Sequence, residues 1–565
     1  MNKFYYILLL IVLVGCKKNH SENDASVASF LDIDLFEKKI IKIDSTIING
    51  FSNENLKNFY KKYNFETVWK SESQRELIIN QLLDSEKEGL QAKDYQVNTL
   101  KLIEENYSKL ADSTLVQYDI LLTINLQNYI SDVGRGKIKP KDVYRDWDLK
   151  LNDLDVNKII TDGIENNDLN TQIENCKPQH IIYKKLKNAL QILREFPQDS
   201  IEMVEVKDKI VLGKKNRAVY TIKKKLIYWH DLKHQDTITS IYDAETQKAI
   251  KIFQKRHGLN PDGVIGKSTI EALNYSKSQR MEQVIANLER WRWFSRDFGK
   301  HYLLINIPDY KLVAIKDNDT TQIQRIVVGK DSRKTPILES KVSNVNLNPN
   351  WTVPPTILRE DIYPEAIKDK GVFRKKGLKI INKYNNEVNP YSWTLADAGK
   401  YRYVQNPGKN NSLGSMKINF PNRFTVYLHD TNHRDYFDFT KRSLSSGCVR
   451  LEKPLEMAAY ILNDTTKWSL KRIKDTTDIG YYKKLIKEKE KKLAIKNAKL
   501  LAKNPALVIE PYEFPKPELK TIVLKVKDDI LIHQLYWTAW ENNGVLQFRE
   551  DIYCADHAVF AKLRY

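Results

Sequence analysis

The spacing of apolar positions changes twice along the chain. From Ile41 to about Pro197 apolar residues recur at helical intervals, as in 76–83 (ELIINQLL) and 115–130 (LVQYDILLTINLQNYI). Gly89-Leu90 and Gly134-Arg135-Gly136 punctuate these helices. A compact helical hairpin is expected within 205–275. There Ala249, Ile250 and Phe253 form one stripe, Gly258 stands as a C-terminal cap, and Pro261-Asp262-Gly263 makes a turn. Ser268 followed by Glu271 has the capping-box pattern for a second helix. From Tyr302 the period becomes two. YLLINI (302–307), KLVAIK (311–316) and IQRIVVG (323–329) read as strands joined by Pro308-Asp309 and Asp317-Asn318-Asp319 turns. Trp351 lies in an extended, proline-flanked stretch, 346–357. Residues 358–400 show no clear strand pattern and interrupt the β-region, which suits a lid. The run 424–428 (FTVYL) reads as a strand delivering His429, and a helix is expected after Pro454. The last stretch again reads as strands, with an Asn543-Gly544 turn.

These periods predict a multidomain α+β protein, and 565 residues are too many for one ordinary core. The expected divisions are a leader (1–15), a tether (16–40), a helical domain (41–200), the small helical module (205–275), a mainly-β domain (283–475, with 358–400 as its lid) and a C-terminal extension (476–565). The first division rests on a short basic start, the apolar run Phe4–Val14, and then Gly15-Cys16. Eleven apolar residues are too few to span a bilayer, which needs roughly 20, but they suit a secretory signal. Leu13-Val14-Gly15-Cys16 is similar to a bacterial lipobox, so Cys16 is the expected lipid-bearing residue and the lipid the expected membrane anchor. An ordinary secretory signal is the competing reading; both export the chain.

Charge adds less. The net charge is +20, with 72 acidic residues beside 92 basic ones, and an anionic envelope polymer or nucleic acid would each suit that bias. In the basic run at 475–502 interleaved glutamates favour a solvated helix, so no nucleic-acid partner is expected.

Four cysteines are present: Cys16, Cys176, Cys448 and Cys554. They are too few for a disulfide framework, and whether Cys176 and Cys554 pair is open. Cys448 is set between Gly447 and Arg450 in Ser-Ser-Gly-Cys-Val-Arg (445–450), downstream of His429. A thiol at its ordinary pKa of about 8.5 is mostly protonated at neutral pH, and an imidazole beside it can take the proton. Asp430 could orient that imidazole through its side chain or backbone. The N–H groups around Ser446 and Gly447 are raw material for an oxyanion hole, and Arg450 could hold a carboxylate. A structural cysteine and a structural histidine are the plain alternative. His429 and His433 lie four apart, but the local pattern is strand and no zinc motif accompanies them, so no metal is expected.

His429 followed at this interval by Ser-Ser-Gly-Cys-Val-Arg resembles the signature of the L,D-transpeptidases, exported bacterial enzymes with a YkuD-type β-fold. Ser446 stands where that family usually carries a second histidine. NPNWTVPPTI (348–357), VQNPGKNNSLGSMKINFPNRFTVYLHDT (404–431) and LYWTAWENNGVLQFREDIY (535–553) resemble the large Gram-negative murein transpeptidases. FYKKYNFETVW (59–69) belongs to the same resemblance, and 246–273 resembles the peptidoglycan-binding domain. The resemblance implies a helical scaffold domain, a peptidoglycan-binding module and a YkuD-type catalytic domain. It also implies Cys448 as nucleophile, His429 as general base and acid, and backbone donors at Ser446 and Gly447. Trp351, Tyr427 and Arg450 would line the substrate groove. The implied partners are donor and acceptor stem peptides of peptidoglycan, joined 3→3 without cofactor or metal, in the cell envelope. A hydrolase of the same fold and a non-catalytic lipoprotein tethering membrane to wall are the competing readings.

Overall fold

The computed structural model describes residues 40–144, 147–149, 152–504 and 507–564. The lipobox cysteine, Cys16, lies outside the described residues. Among those described, no helix is long and apolar enough to cross a membrane.

The N-terminal helices form where the 3.6-residue period places them. The 24-residue helix Asp112–Arg135 runs through their centre, and the apolar run 76–83 falls within the helix Glu72–Leu83. The segment FYKKYNFETVW closes over the central helix around a buried carboxylate. Asp119 accepts from the Tyr60 hydroxyl at 2.6 Å and from the Val68 and Trp69 N–H groups at 2.8 Å each. Burial raises the Asp119 pKa to about 6 even with those donors.

The small module has its own core, built on Val219, Ile222, Ile250, Phe253, Ile265 and Leu273. Gly258 follows the helix Ala244–Arg256 at φ +68°, and Leu259 N–H donates to Gln254 O at 2.8 Å, a left-handed C-terminal cap. The expected capping box at Ser268 and Glu271 is not formed. The helix begins two residues earlier than that cap would place it, at Lys267, with Gly266 as its N-cap and no side-chain cap. The capping box is instead at Ser276 and Gln279, opening the helix Lys277–Trp293.

That helix is the spine of the molecule. Every residue from Gln283 to Trp293 is buried, charged ones included. Glu289 accepts from Ile138 N–H at 2.8 Å, Asn287 donates to the Thr538 hydroxyl at 2.8 Å, and Arg290 pairs with Asp556. Its polar side chains therefore tie the N-terminal helices to the C-terminal segment.

The β-region forms one large curled sheet. Its strands in chain order are β1 (His301–Asn306), β2 (Lys311–Lys316), β3 (Asp319–Gly329), β4 (Leu338–Lys341) and β5 (Asn344–Leu347). The insertion contributes β6 (Trp351–Thr352), β7 (Lys379–Ile381), β8 (Glu387–Val388) and β9 (Arg402–Gln405) to a separate small sheet. Then follow β10 (Met416–Asn419), β11 (Leu428–His429), β12 (Ser443–Ser445) and β13 (Val449–Leu451). Last are β14 (Ile522–Lys525), β15 (Leu531–Leu535), β16 (Ala539–Asn542) and β17 (Val545–Phe548), the last two a hairpin. The main sheet runs β14-β5-β10-β11-β13-β3-β2-β1-β15-β4, with β12 on β3.

Three expectations change. Residues 358–400 are not without strands: β7 and β8 lie inside them, and the unit from Trp351 to Gln405 has its own core of Leu358, Ile362, Phe373, Trp393 and Tyr403. Residue 475 is not a domain boundary, because β14 pairs with β5 and β15 lies between β1 and β4. The strand before His429 is only two residues long, since Thr425 takes φ +54° and breaks the run FTVYL. The charged run is, as expected, an exposed helix, Ile479–Lys503, with no buried residue.

Candidate active site

β11 and β13 are parallel neighbours, with Leu428 opposite Val449 and His429 opposite Arg450. Leu428 and Val449 are fully buried in the main core. Side chains alternate, so Tyr427, His429, Cys448 and Arg450 share the opposite face. On the other side of β11, Lys417 of β10 is opposite His429. One row across three strands thus reads Lys417, His429, Arg450, with Cys448 and Tyr427 one step away.

This row sets the electrostatics. His429 is 5% exposed, and its pKa falls to about 3. Burial is the main cause; the Arg450 and Lys417 cations add to it, and only the Asp430 backbone opposes it. Its Nδ1 is buried without a hydrogen-bond partner. Cys448 is half-buried, and the protein around it pushes the thiol pKa up. The Tyr427 backbone, the Lys417 ammonium, the Tyr427 side chain and Arg450 all pull it back down. At rest this face therefore carries a neutral thiol and a neutral imidazole, with two cations placed to favour the thiolate once the proton leaves.

A bonded loop holds Cys448 in place. Ser445 Oγ donates to Cys448 O at 2.6 Å and accepts from Gly447 N–H at 3.1 Å. Thr335 donates to Gly447 O at 2.9 Å and accepts from Gly329 N–H at 2.8 Å. Gly447 sits at φ +109°, and a Cβ there would come within 3.3 Å of Lys334 O, so glycine is required. The Gly447 N–H is already given to Ser445. Among the described residues, the loop N–H groups left without a partner are those of Ser446 and Cys448.

The remaining sequence candidates fall around this pair. Tyr427 packs edge-on to His429 at 5.5 Å, and Lys417 Nζ lies 3.8 Å from the Tyr427 ring centre. Burial raises the Tyr427 pKa well above its ordinary value, and Trp351, at the entry to the inserted unit, opposes this only in small part through the Tyr427 side chain. Arg450 donates to the Thr431 hydroxyl at 3.2 Å and lies 5.3 Å from the Tyr436 ring. Its Nε is buried without a hydrogen-bond partner. The Asp430 carboxylate does not turn towards His429; it accepts from Ser415 N–H at 2.8 Å and Arg434 at 3.0 Å. His433 is stacked on Tyr436, and among the described residues no cluster could hold a metal. Cys176 and Cys554 are both free thiols.

Sequence reading missed Lys417, Ser445, Thr335 and Arg333. Alternation in SMKINF was the available signal for Lys417, since it places the lysine on the face opposite Met416 and Ile418. Arg333 had none. It binds Asp361 through two bonds of 2.6 and 2.7 Å, reaches Glu360 at 2.8 Å, and donates to Ser446 Oγ at 2.9 Å. It therefore joins the loop that carries Cys448 to the inserted unit.

The architecture defines a class: a helical N-terminal region, a small helical module and a curled β-domain carrying a Cys–His face. Residues 300–484 match the L,D-transpeptidase catalytic domain of the YkuD type, and the chain carries that domain together with a peptidoglycan-binding domain. The latter match covers 215–273 and is described as "Putative peptidoglycan binding domain"; residues 54–190 match a "Scaffold domain". A "Putative L,D-transpeptidase" from Haemophilus influenzae is 31% identical over 288 residues, 50% of this chain and 50% of that protein. The chain thus spans about half the length of the curated relative it matches. Among solved structures, an L,D-transpeptidase from Xylanimonas cellulosilytica is 14% identical, covering 46% of this chain and 93% of that one, with a TM-score of 0.16. One from Stackebrandtia nassauensis is 14% identical, covering 46% and 89%, with a TM-score of 0.19.

Proposed function

We propose that the protein is a cysteine-dependent L,D-transpeptidase that joins peptidoglycan stem peptides 3→3. The supporting observation is the shared face of β11 and β13, which carries Cys448 and, on the neighbouring strand, a histidine kept neutral by burial and two cations. His429 takes the thiol proton, and the thiolate attacks the carbonyl of the third residue of a donor tetrapeptide. The free N–H groups of Ser446 and Cys448 stabilise the tetrahedral oxyanion. The C–N bond breaks, His429 returns the proton to the departing D-alanine amine, and a Cys448 thioester remains. The side-chain amine of a second stem attacks that thioester, gives up a proton through His429, and restores the thiol. Trp351, Tyr427 and Arg450 line the groove, with Arg450 taking a substrate carboxylate.

The test is incubation with purified stems, read by mass spectrometry. Cross-linked 3→3 dimers are expected from the native chain and none from Cys448→Ala; trimmed tripeptides alone would make it a hydrolase. A carbapenem should add its mass to the native chain and not to Cys448→Ala. The proposal includes anchoring in the cell envelope through lipid on Cys16. Cys16→Ala should then leave the membrane fraction, and unchanged lipidation would refute the anchor.

A further inference from the structure

A cavity lies away from Cys448, where the small helical module meets the spine helix and the end of β17. Its volume is about 480 Å³, within the range of small-ligand sites. The module contributes Leu259, Ala272 and Tyr275; Arg280 comes from the spine helix, and Lys441 and Arg549 come from the catalytic side. The two sides are bonded across this junction, Arg549 donating to Arg256 O at 3.1 Å and Gln283 to Arg549 O at 2.8 Å. The cavity is thus a fixed feature of the joined units.

Its charges are paired with one exception. Lys441 binds Glu550 at 2.8 Å, Arg549 binds Asp309, and Glu271 at the rim lies 3.9 Å from Lys267. Arg280 is 4% exposed, yet its hydrogen bonds go to neutral oxygens, Gln283 Oε1 at 2.9 Å and Ala272 O at 3.0 Å. The guanidinium is sandwiched between the Tyr275 and Phe548 rings, 4.2 and 4.3 Å from their centres. Burial pulls its pKa down to about 9; the Asp556 carboxylate, already paired with Arg290, offsets this only weakly, and among the described residues no carboxylate forms an ion pair with it. A buried cation with no carboxylate in direct contact is costly to fold around, and stacking between rings offsets only part of that.

We propose that this cavity binds a carboxylate of a short peptide, Arg280 supplying the charge and Tyr275, Leu259 and Ala272 the apolar wall. The peptide is taken to be a wall stem, which rests on the function proposed above; free D-alanine is the other source of the same chemistry. Calorimetry on the full-length chain tests it. The probes are the tetrapeptide L-Ala–γ-D-Glu–diaminopimelate–D-Ala, the same peptide with its carboxylates amidated, and D-alanine. The free acid should bind native protein, and Arg280→Gln should remove one site or weaken it at least tenfold. Ser268→Trp, which fills the mouth without touching the buried charge, should do the same. D-alanine bound with the same Arg280 dependence would support the site and name the free amino acid as its source. Equal binding of acid and amide, or no change in a folded Arg280→Gln or Ser268→Trp chain, overturns it. Carbapenem acylation of Cys448, measured separately in each variant, reports whether the active-site reading holds, so the two failures are distinguishable.

Discussion

At the scale of single residues, His429 gives the sharpest prediction. A histidine of ordinary pKa loses its base form as pH falls through about 6.5. His429 is depressed to about 3, so its imidazole stays neutral and able to accept a proton far below that. Acylation of Cys448 should therefore show no loss centred between pH 6 and 7, and NMR titration should find His429 neutral at pH 5. A descending limb at pH 6.5 that vanishes in His429→Gln would refute it. The same shift bears on stability: below pH 6.5 the unfolded chain takes up a proton that folded His429 refuses, so this residue destabilises the fold as pH drops. Removing the imidazole, in His429→Ala, should slow acylation by about 10²- to 10⁴-fold with the fold retained. Ser445 is a positioning residue. Ser445→Ala loses the bonds to Cys448 O and Gly447 N–H, a cost of about 1–2 kcal/mol, and frees the Gly447 N–H. Acylation should fall roughly tenfold, and more than the melting temperature alone would explain.

At the scale of elements, legibility followed how local the determining physics was. β1, β2 and β3 were readable because β2 alternates buried and part-exposed residues, β1 and the end of β3 are short buried apolar runs, and the turns carry their own chemistry. The Cys–His pair was readable as residues, but its charge state was not. Lys417 reaches His429 only because β10 pairs with β11, a register no local pattern encodes. The spine helix went unread for the opposite reason: Glu289, Arg290 and Arg292 interrupt its apolar pattern, yet each is buried against a partner. The strands inside 358–400 were missed because those of the inserted unit are only two to four residues long. Arg333 is where that unit can be tested. It bridges Glu360 and Asp361 to the Ser446 hydroxyl, at part-exposed positions where such pairs contribute about 1 kcal/mol. Arg333→Ala should raise amide exchange across 355–400 roughly fivefold. It should raise KM for the donor stem more than it lowers kcat. Unchanged exchange would mean the insertion's own core, around Phe373 and Trp393, fixes its position unaided.

At the scale of the whole molecule, the C-terminal segment decides what counts as the catalytic domain. The family match ends at residue 484, and a cut there looks harmless in sequence because a long exposed helix follows. The sheet says otherwise. β15 fills the gap between β1 and β4, the helix Asp556–Arg564 supplies the partner of Arg290, and Tyr553 reaches the catalytic side directly. Its hydroxyl donates to Gly329 O at 2.7 Å and accepts from Thr335 N–H at 3.0 Å, behind the loop that carries Gly447. Ending the chain at residue 510 would uncover the β1 and β4 edges and remove Ile530, Ile532, Leu535, Tyr536 and Trp537, all buried. At about 1.5–3 kcal/mol for each large apolar side chain, that loss alone matches the 5–15 kcal/mol by which folded domains are usually stable. The truncated chain should therefore be insoluble or lack a cooperative thermal transition, and carbapenem should not label it. Full acylation by a soluble chain ending at 510 would show that the strands closing the sheet are dispensable. Tyr553→Phe separates the two contributions: it keeps the ring and the sheet but removes the bonds behind the loop, and should lower acylation while the melting temperature falls by only a few degrees.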